Sequence, residues 1–522
     1  GRDRSATVAA DVGAGAGVVR DRWATRIGLV LALAGNAIGL GNFLRFPGQA
    51  AANGGGAFMI PYFLTLLLVG IPLLWAECAI GRHGGRQGHG HTAGMFHGLW
   101  SHPASKYVGV FGIFIPFTVA LYYIPITSWC LAFAWYSLTG ALDGLATRAE
   151  MGAFLSAFQG WTVNEHFAGR GSFYVFFAIT LGVNLWIVAG GIARGIELLA
   201  KVAMPALFAM GALLAIRALT LEPPAGAGPD QNVLTGLGFV WNPRLEELGN
   251  PKVWLAAAGQ VFFTLSVGWG IIHTYASYVG PDDDIALAGL STASLNEFAE
   301  VVLGGTIALT ASVVFFGLTA TTEISRSTFD LGFQAMPVIF QQVPAGNLLG
   351  AIWFLLLFFA GLTSAVAITL PVVALLQEGF GIPRTRAVAL TGAAILALSV
   401  PAIWWDGVLG DLDFWAGSFG LLLFGLLEAV IFAWVFGIER GWREITHGAA
   451  IRLPRVLAPV LKYVTPTFLA LVLGAFCWQN LPDALVAGGP QVWIGRALMV
   501  AIFVVLALLA RAALSRPSGR EA

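Results

Sequence analysis

Ala34-Gly35-Asn36-Ala37-Ile38-Gly39-Leu40-Gly41-Asn42 interrupts one hydrophobic run, and Thr264-Leu265-Ser266-Val267-Gly268-Trp269-Gly270 interrupts another. Glycine lacks a Cβ and relaxes the backbone, so each run reads as a helix broken part-way along. Non-helical backbone at membrane depth is tolerated only where it lines a cavity or is buried in protein. A pair of such interrupted segments is the best sequence pointer to a transporter binding site.

The rest of the chain supplies the setting for these breaks. Its 522 residues are 57% hydrophobic and 11% charged, whereas a soluble domain is about a quarter charged. Runs of roughly 20 apolar residues recur along the whole length, each able to span ~30 Å of hydrocarbon. The fold class expected is an all-α, polytopic membrane protein whose main partner is the lipid bilayer. Basic and acidic residues balance at 28 each. Without a basic tract, no nucleic-acid partner is expected. Cys78, Cys130 and Cys477 each sit in an apolar run and read as buried free thiols, with neither a disulfide framework nor a zinc spacing. Residues 1–22 have no apolar core and read as a flexible cytoplasmic tail, not a signal peptide.

Twelve spans are expected, near 26–52, 57–83, 106–139, 172–190, 196–219, 253–280, 286–317, 347–379, 384–403, 408–436, 457–478 and 493–514. Arg20, Arg22, Arg26, Arg82, Arg86, Arg194, Lys201, Arg384, Arg386, Arg440, Arg443, Arg452 and Arg455 then fall on one side. That side is cytoplasmic by the positive-inside rule, and both termini are inside. The broken helices are the first and the sixth. An odd number of spans separates them, so units beginning at each are related by inversion. The organisation expected is helices 1–5 over 23–219, an extracellular loop over 220–252, helices 6–10 over 253–436, helices 11 and 12 over 437–514, and a cytoplasmic tail over 515–522. Within 318–346, the amphipathic stretch from Phe329 to Phe340 reads as an extracellular lid helix.

Breaking a helix frees amides that favour anions and carbonyls that coordinate small hard cations. Asn36 and Asn42 stand at the first break, Thr264 and Ser266 at the second. Tyr122, Tyr123, Asn296, Glu297, Glu300, Thr363 and Ser364 are further polar groups at membrane depth, where such groups usually mark a pathway. A single membrane Ser or Thr most often bonds its own i−4 carbonyl, and a single Asn as often glues helices as binds a ligand. Glycine-rich segments often mean only close helix packing. The constellation around two breaks, not any one residue, carries the reading.

Arg22-Trp23-Ala24-Thr25-Arg26, followed by Gly35 to Asn42 and Phe43-Leu44-Arg45-Phe46-Pro47, strongly resembles the first helix of the neurotransmitter:sodium symporters. Asn53-Gly54-Gly55-Gly56-Ala57-Phe58, Pro61-Tyr62, Gly259 to Ser266, Ala360-Gly361-Leu362-Thr363-Ser364 and Asp413-Phe414-Trp415-Ala416-Gly417 continue the match, over about residues 20 to 510. The resemblance is to the bacterial, LeuT-like amino-acid transporters of that family. It implies the LeuT fold: twelve transmembrane helices in a 5+5 inverted repeat, with helices 1 and 6 broken, in a bacterial inner (cell) membrane. It also implies two sodium ions as cofactors. The first would be held by Ala37, Asn42, Thr264, Asn296 and the substrate carboxylate. The second would be held by Gly35, Ile38, Ala360, Thr363 and Ser364.

The same resemblance places the substrate carboxylate on the Leu40 and Gly41 amides and the Tyr123 hydroxyl. The amine meets carbonyls of Ala37, Phe263 and Thr264. The side-chain pocket is Val119, Tyr123, Phe263, Ser266, Trp269, Ser364 and Ile368, which has no carboxylate and so favours a small neutral, aliphatic amino acid. Trp269 stands where the leucine transporter has phenylalanine. The larger ring either shrinks the cavity or rotates away and widens it. Arg45 and Asp413 form an outer gate over Phe263 and Tyr123. Arg20 and Glu378 form an inner one, with Trp23, Ser266 or Tyr278. Glu300 stands where chloride-dependent relatives usually carry serine, near residues matching the chloride shell at Tyr62, Gln260, Thr264 and Asn296. Its carboxylate would substitute for chloride, and its protonation on the return step could give proton antiport.

The function expected is a chloride-independent, sodium-coupled amino-acid symporter working by alternating access. It is not an enzyme, since no nucleophile–base constellation or nucleotide motif appears. A proton-coupled amino-acid carrier and a non-transporting sensor or channel are the alternatives. Oligomeric state is open, a homodimer being one option.

Overall fold

The computed structural model describes residues 21–516. Among them there is no strand. The first interrupted segment is α1 (Arg26–Ala37), α2 (Leu40–Phe43) and α3 (Arg45–Ala52). Then come α4 (Gly56–Arg86), α5 (Ser105–Leu138), α6 (Gly171–Ala189) and α7 (Ile192–Leu219). The second interrupted segment is α8 (Pro251–Leu265) and α9 (Ile271–Ala276). After it follow α10 (Ile285–Ile324), α11 (Gly346–Phe380), α12 (Arg384–Trp404), α13 (Val408–Thr446), α14 (Leu457–Val486) and α15 (Pro490–Ser515). Ten of these are continuous helices long and apolar enough to cross a membrane.

Burial sorts them into layers. The apolar windows of α5 and α11 are 83% buried, against 28% and 22% for α14 and α15. The first pair forms the centre of the bundle and packs against the interrupted segments; the second lies at its rim. A helix that is apolar all round is buried in protein or faces lipid, so equal hydropathy in sequence conceals this difference. Cys78 and Cys130 are buried thiols as expected, while Cys477 is part-exposed because it sits on the rim helix α14.

Helix ends follow local chemistry. Thr25 caps α1 by accepting from the Gly28 amide (3.0 Å). Glu197 of α7 then accepts from the Thr25 hydroxyl (2.6 Å) and the Ala24 amide (2.7 Å), tying the entry of α1 to a neighbour. α10 turns sharply at Gly317 (φ 80°), where the apolar span was expected to end. The amphipathic stretch read as a lid is helical, over 328–341. Its Gly332 carbonyl accepts from the Trp353 indole (3.1 Å) and its Phe333 packs edge-on to Trp129, so it sits on α11 and α5. The two described chain ends share one face, since Asp21 pairs with Arg384 (3.1 Å) and Arg516 lies over the Phe380 ring.

Candidate functional site

The two breaks face each other in the centre of the bundle. At the first, α1 stops at Ala37 and only Ile38 and Gly39 are unwound before α2. The chain is held there by side chains. The Gly39 amide donates to Asn42 Oδ1 (2.9 Å), and the Leu40 amide donates to the Tyr123 hydroxyl (3.1 Å). The Asn36 carbonyl accepts from Ser266 Oγ (3.3 Å) and Ser364 Oγ (3.1 Å), so one freed carbonyl joins the second break and α11. A Cβ at position 39 would lie 2.8 Å from the Tyr123 hydroxyl and 2.9 Å from Ser364 Oγ, so a larger residue there must push these two side-chain ends away from the break.

At the second break the backbone itself turns. Ser266 ends α8 in the left-handed region (φ 55°, ψ 31°), a conformation costing an L-residue about 1–2 kcal/mol. Gly268 and Gly270 follow at φ 76° and 83°. The freed Gly268 amide donates to Glu77 Oε1 of α4 (2.6 Å).

Four polar side chains from three elements meet between the breaks. Asn42 Nδ2 donates to Thr264 Oγ1 (3.1 Å) and Asn296 Oδ1 (2.9 Å), and Asn296 Nδ2 donates to Thr264 Oγ1 (2.9 Å). Glu300 accepts from the Thr264 hydroxyl, from Gln260 Nε2 (3.0 Å) and from the Tyr62 hydroxyl (2.9 Å). Tyr62 is also 2.7 Å from Glu297 Oε2, and its one proton can serve only one of the two carboxylates at a time. Asn42, Thr264, Asn296, Glu300 and Gln260 are all buried. A wide, π-helical stretch over Phe298–Thr310 carries Glu300; such stretches are frequent at functional sites. A cation entering here would take the Thr264 and Asn296 oxygens and displace the Asn42 amide donors that now satisfy them.

A second group lies across α1 and α11. Thr363 Oγ1 donates to Phe359 O (3.0 Å) or Ala360 O (3.1 Å), and Ser364 Oγ reaches Ala360 O (3.2 Å). Each hydroxyl spends its proton on a carbonyl and keeps lone pairs for a cation. Gly35 abuts Thr363, and Ile38, whose amide caps α1 on Ala34 O (2.7 Å), is the first unwound residue. Gly35, Ile38, Ala360, Thr363 and Ser364 are thereby gathered where the first helix unwinds.

Of the expected pocket, Val119, Tyr123, Ser266, Trp269, Ser364 and Ile368 are buried. Phe263 is half-buried, with Gly41 directly beneath its ring. Ala37 and Leu40 are buried at the two lips of the first break. Trp269 packs edge-on to Phe263 (5.7 Å, 71°) and is 4% exposed, so the indole is held against the aromatic lid and not turned away from it. Its Nε1 has no hydrogen-bond partner among the described residues.

The outer gate departs from expectation. Among the described ion pairs there is none between Arg45 and Asp413. The Arg45 guanidinium lies 4.3 Å over the Phe263 ring, a cation–π contact, and Asp413 accepts from the Tyr122 hydroxyl (2.7 Å). A cavity of ≈ 700 Å³ opens beside Arg45, Gln49, Gly259, Phe262 and Gly417. On the opposite face, the Trp23 indole donates to Tyr275 O (3.0 Å) and stacks edge-on to its ring, closing α1 onto α9. Arg20 lies outside the described residues. Its expected partner Glu378 accepts from the Gly90 amide.

Two features go beyond the sequence reading. Asn36, read as a polar residue at the first break, has its side chain buried with neither amide atom partnered among the described residues. Glu77, His273 and Glu428, from α4, α9 and α13, meet in a wholly buried cluster. Ionisable residues inside apolar runs were the available signal, since burial of a charge is expensive.

A sequence model of the sodium:neurotransmitter symporter family matches residues 20–149 and 156–514. An uncharacterised sodium-dependent transporter of Methanocaldococcus jannaschii is 29% identical over 90% of this chain and 92% of its own. The sodium-dependent neutral amino acid transporter B(0)AT1 of Rattus norvegicus is 26% identical over 88% of this chain and 82% of its own. A crystal structure of MhsT in complex with L-phenylalanine superposes with a TM-score of 0.74 at 31% identity, covering 87% of this chain and 99% of that one.

Proposed function

Because this chain belongs to the sodium:neurotransmitter symporter family, a family of multi-pass sodium-coupled carriers and not enzymes, we propose that it imports small neutral, apolar amino acids by alternating access, driven by two sodium ions and independent of chloride. The observation that carries the reading is the meeting of Asn42, Thr264, Asn296 and Glu300 between the two helix breaks. The cluster is rich in oxygen, buried, and next to the only unwound backbone of the first segment. The Leu40 amide and the Tyr123 hydroxyl, now bonded to each other, are the donors a substrate carboxylate would take. That carboxylate would complete the shell of a sodium held by Ala37 O, Asn42, Thr264 and Asn296. Ion and substrate would then bind each other's site, a coupling free energy. The second sodium would sit between Gly35, Ile38 and Ala360 carbonyls and the Thr363 and Ser364 hydroxyls.

The neutral relative and the phenylalanine-bound neighbour support a neutral substrate. So does a pocket of Val119, Phe263, Trp269 and Ile368 with no carboxylate to meet a cationic side chain. Trp269, held against Phe263, takes up room and favours smaller side chains. Glu300 supplies the charge that a chloride would bring. At an effective dielectric of about 20, a unit charge ~4 Å from sodium is worth about 4 kcal/mol, enough to replace a bound anion. With the Trp23 face assigned to the cytoplasm, the Trp23–Tyr275 contact closes that side, and the cavity beside Arg45 lies on the other.

The test is a binding screen of the twenty amino acids in sodium and in potassium, followed by counterflow in proteoliposomes. Saturable binding that needs sodium, and exchange of labelled for unlabelled amino acid, are expected. Equal affinity in both salts rejects the symport reading; binding without exchange makes the protein a sensor.

A further inference from the structure

α13 changes character at Gly437. The apolar stretch of the helix ends in Trp434, Val435 and Phe436, and beyond the glycine comes Ile438-Glu439-Arg440-Gly441-Trp442-Arg443-Glu444. Gly437 (φ 98°, ψ 127°) interrupts the helix in a conformation that other residues rarely adopt. The turns that follow bury Ile438, Gly441 and Ile445. Arg440 and Arg443, three residues apart, therefore share the outer face, and both are exposed. Trp434 and Val435 are 54% and 45% exposed at the end of a membrane-spanning run, so they face lipid. The two arginines follow one to two helical turns later, where the hydrocarbon gives way to headgroups.

A groove of ≈ 550 Å³ lies between this segment and the end of α4, and its walls include His83, Arg86, Phe436, Arg440 and Arg443. A second hollow of ≈ 620 Å³ shares Phe436 and Arg440 with it and extends past Trp434 to Lys462 of α14. The walls are held in place. The His83 ring packs against Phe436 (5.1 Å), and the Trp434 indole donates to Lys462 O (2.8 Å). The groove is on the face that Trp23 closes. Arg82 of α4 donates to the Asp283 carbonyl (2.6 Å), and the Asp283 carboxylate is 4.0 Å from Arg26 at the start of α1.

The acids near the groove are already engaged. Glu444 is shared by Arg82 (2.9 Å) and Arg86. Glu439 turns its carboxylate to Arg455 (3.3 Å), and only its carbonyl meets Arg443 Nε (3.3 Å). Asp282 is with His447 (2.9 Å). Among the described ion pairs, none includes Arg440 or Arg443. Basic residues are common on one side of any membrane protein. What is particular here is a groove that receives two unpaired guanidiniums beside a lipid-facing aromatic wall. The planar fork of a guanidinium matches phosphate oxygens, and basic pockets between membrane helices suit anionic headgroups. A soluble anion would leave the apolar wall without a partner. A zwitterionic lipid would bring its own cation into a basic groove.

We propose that this groove holds the headgroup of an anionic phospholipid, its phosphate on Arg440 and Arg443 and its acyl chains along Trp434, Val435 and Phe436. The lipid braces the segment after Gly437 against the end of α4. The site requires only that the helices span a bilayer, and it is independent of the substrate and of the sodium ions.

The test is a titration of the full chain in detergent with phosphatidylglycerol or phosphatidylethanolamine, read by native mass spectrometry. Tighter binding of phosphatidylglycerol is expected. Each arginine should carry about fivefold of that affinity, so Arg440→Gln with Arg443→Gln should weaken it about 25-fold. Both side chains are exposed and glutamine suits a helix, so the fold should stand. Arg194→Gln with Arg386→Gln removes the same charge from exposed positions on α7 and α12 and should leave binding unchanged. Equal loss in the two double variants overturns the groove and leaves only a general attraction to basic surface. Equal affinity of the wild type for both lipids overturns the anionic headgroup. Displacement of the bound lipid by soluble glycerol phosphate as readily as by phosphatidylglycerol makes this a site for free phosphate esters and overturns the lipid.

Discussion

The two breaks solve the same problem by different means. The first is two residues long, and neither Ile38 (φ −77°) nor Gly39 (φ −112°) leaves the region open to ordinary residues. It is kept open by partners: Asn42, Tyr123 and Ser364 take the bonds a continuous helix would have made. The second runs over residues 266–270, and Ser266, Gly268 and Gly270 are left-handed. Its shape is written into backbone chirality, with Glu77 holding the Gly268 amide and the Ser266 hydroxyl reaching the Asn36 carbonyl. The first break is therefore conditional on what surrounds and fills it. The second persists whatever is bound.

The largest effect expected is at Gly270. An alanine there would be strained at φ 83° and its Cβ would run into the Gly112 backbone carbonyl, which cannot rotate away. We expect Gly270→Ala to lose about 2–3 kcal/mol of stability or to fail to fold, read by thermal unfolding of the purified protein. Gly39→Ala should stay within about 1 kcal/mol of wild type, because its Cβ meets only the ends of Tyr123 and Ser364, yet bind no amino acid. Equal destabilisation by both would erase the distinction between the breaks.

Thr363→Val combined with Ser364→Ala removes the second cation's hydroxyls and one donor to Asn36 O. The sodium requirement for binding should rise about tenfold, or ~1.4 kcal/mol. An unchanged sodium titration would show that the first break does not depend on this ion. Glu300→Ser tests the other cluster at the same level. Wild-type transport should be indifferent to replacing chloride by gluconate, and the variant should require chloride. Strong chloride dependence in the wild type, at fixed sodium and pH, would remove Glu300 from its role.

The smallest effect belongs to Trp269, which the second break presents to the pocket. Trp269→Phe should shift preference toward larger aliphatic side chains, by roughly tenfold per methylene accommodated. An unchanged competition profile would mean that the indole does not border the substrate.

Much of this was legible from the chain alone, for identifiable reasons. The apolar runs and the two interruptions are local properties, and the breaks fall where glycine and small polar residues were read. The helix over 328–341 and the turn at Gly317 follow from amphipathic spacing and a glycine at the end of an apolar run. The proposed oxygen ligands Asn42, Thr264, Thr363 and Ser364 were legible because they sit in long ordered motifs, and Asn296 because it is a polar group at membrane depth. The Arg45–Asp413 pair was not readable in the same way. Whether two charges meet depends on competing neighbours, and here Phe263 takes the cation while Tyr122 takes the anion.

Sequence by itself determined the class of molecule, the positions of the helices and the places where two of them stop, because hydropathy and the lack of a glycine Cβ act within a few residues. Tertiary structure decided which polar groups share a space. Asn42, Thr264, Asn296 and Glu300 come from three elements, and Glu77, His273 and Glu428 from three others. No spacing along the chain encodes that His273 has a carboxylate at each nitrogen. That arises because α4, α9 and α13 pack together with their ionisable residues turned inward, where a buried charge must find its counterpart across the bundle instead of in water.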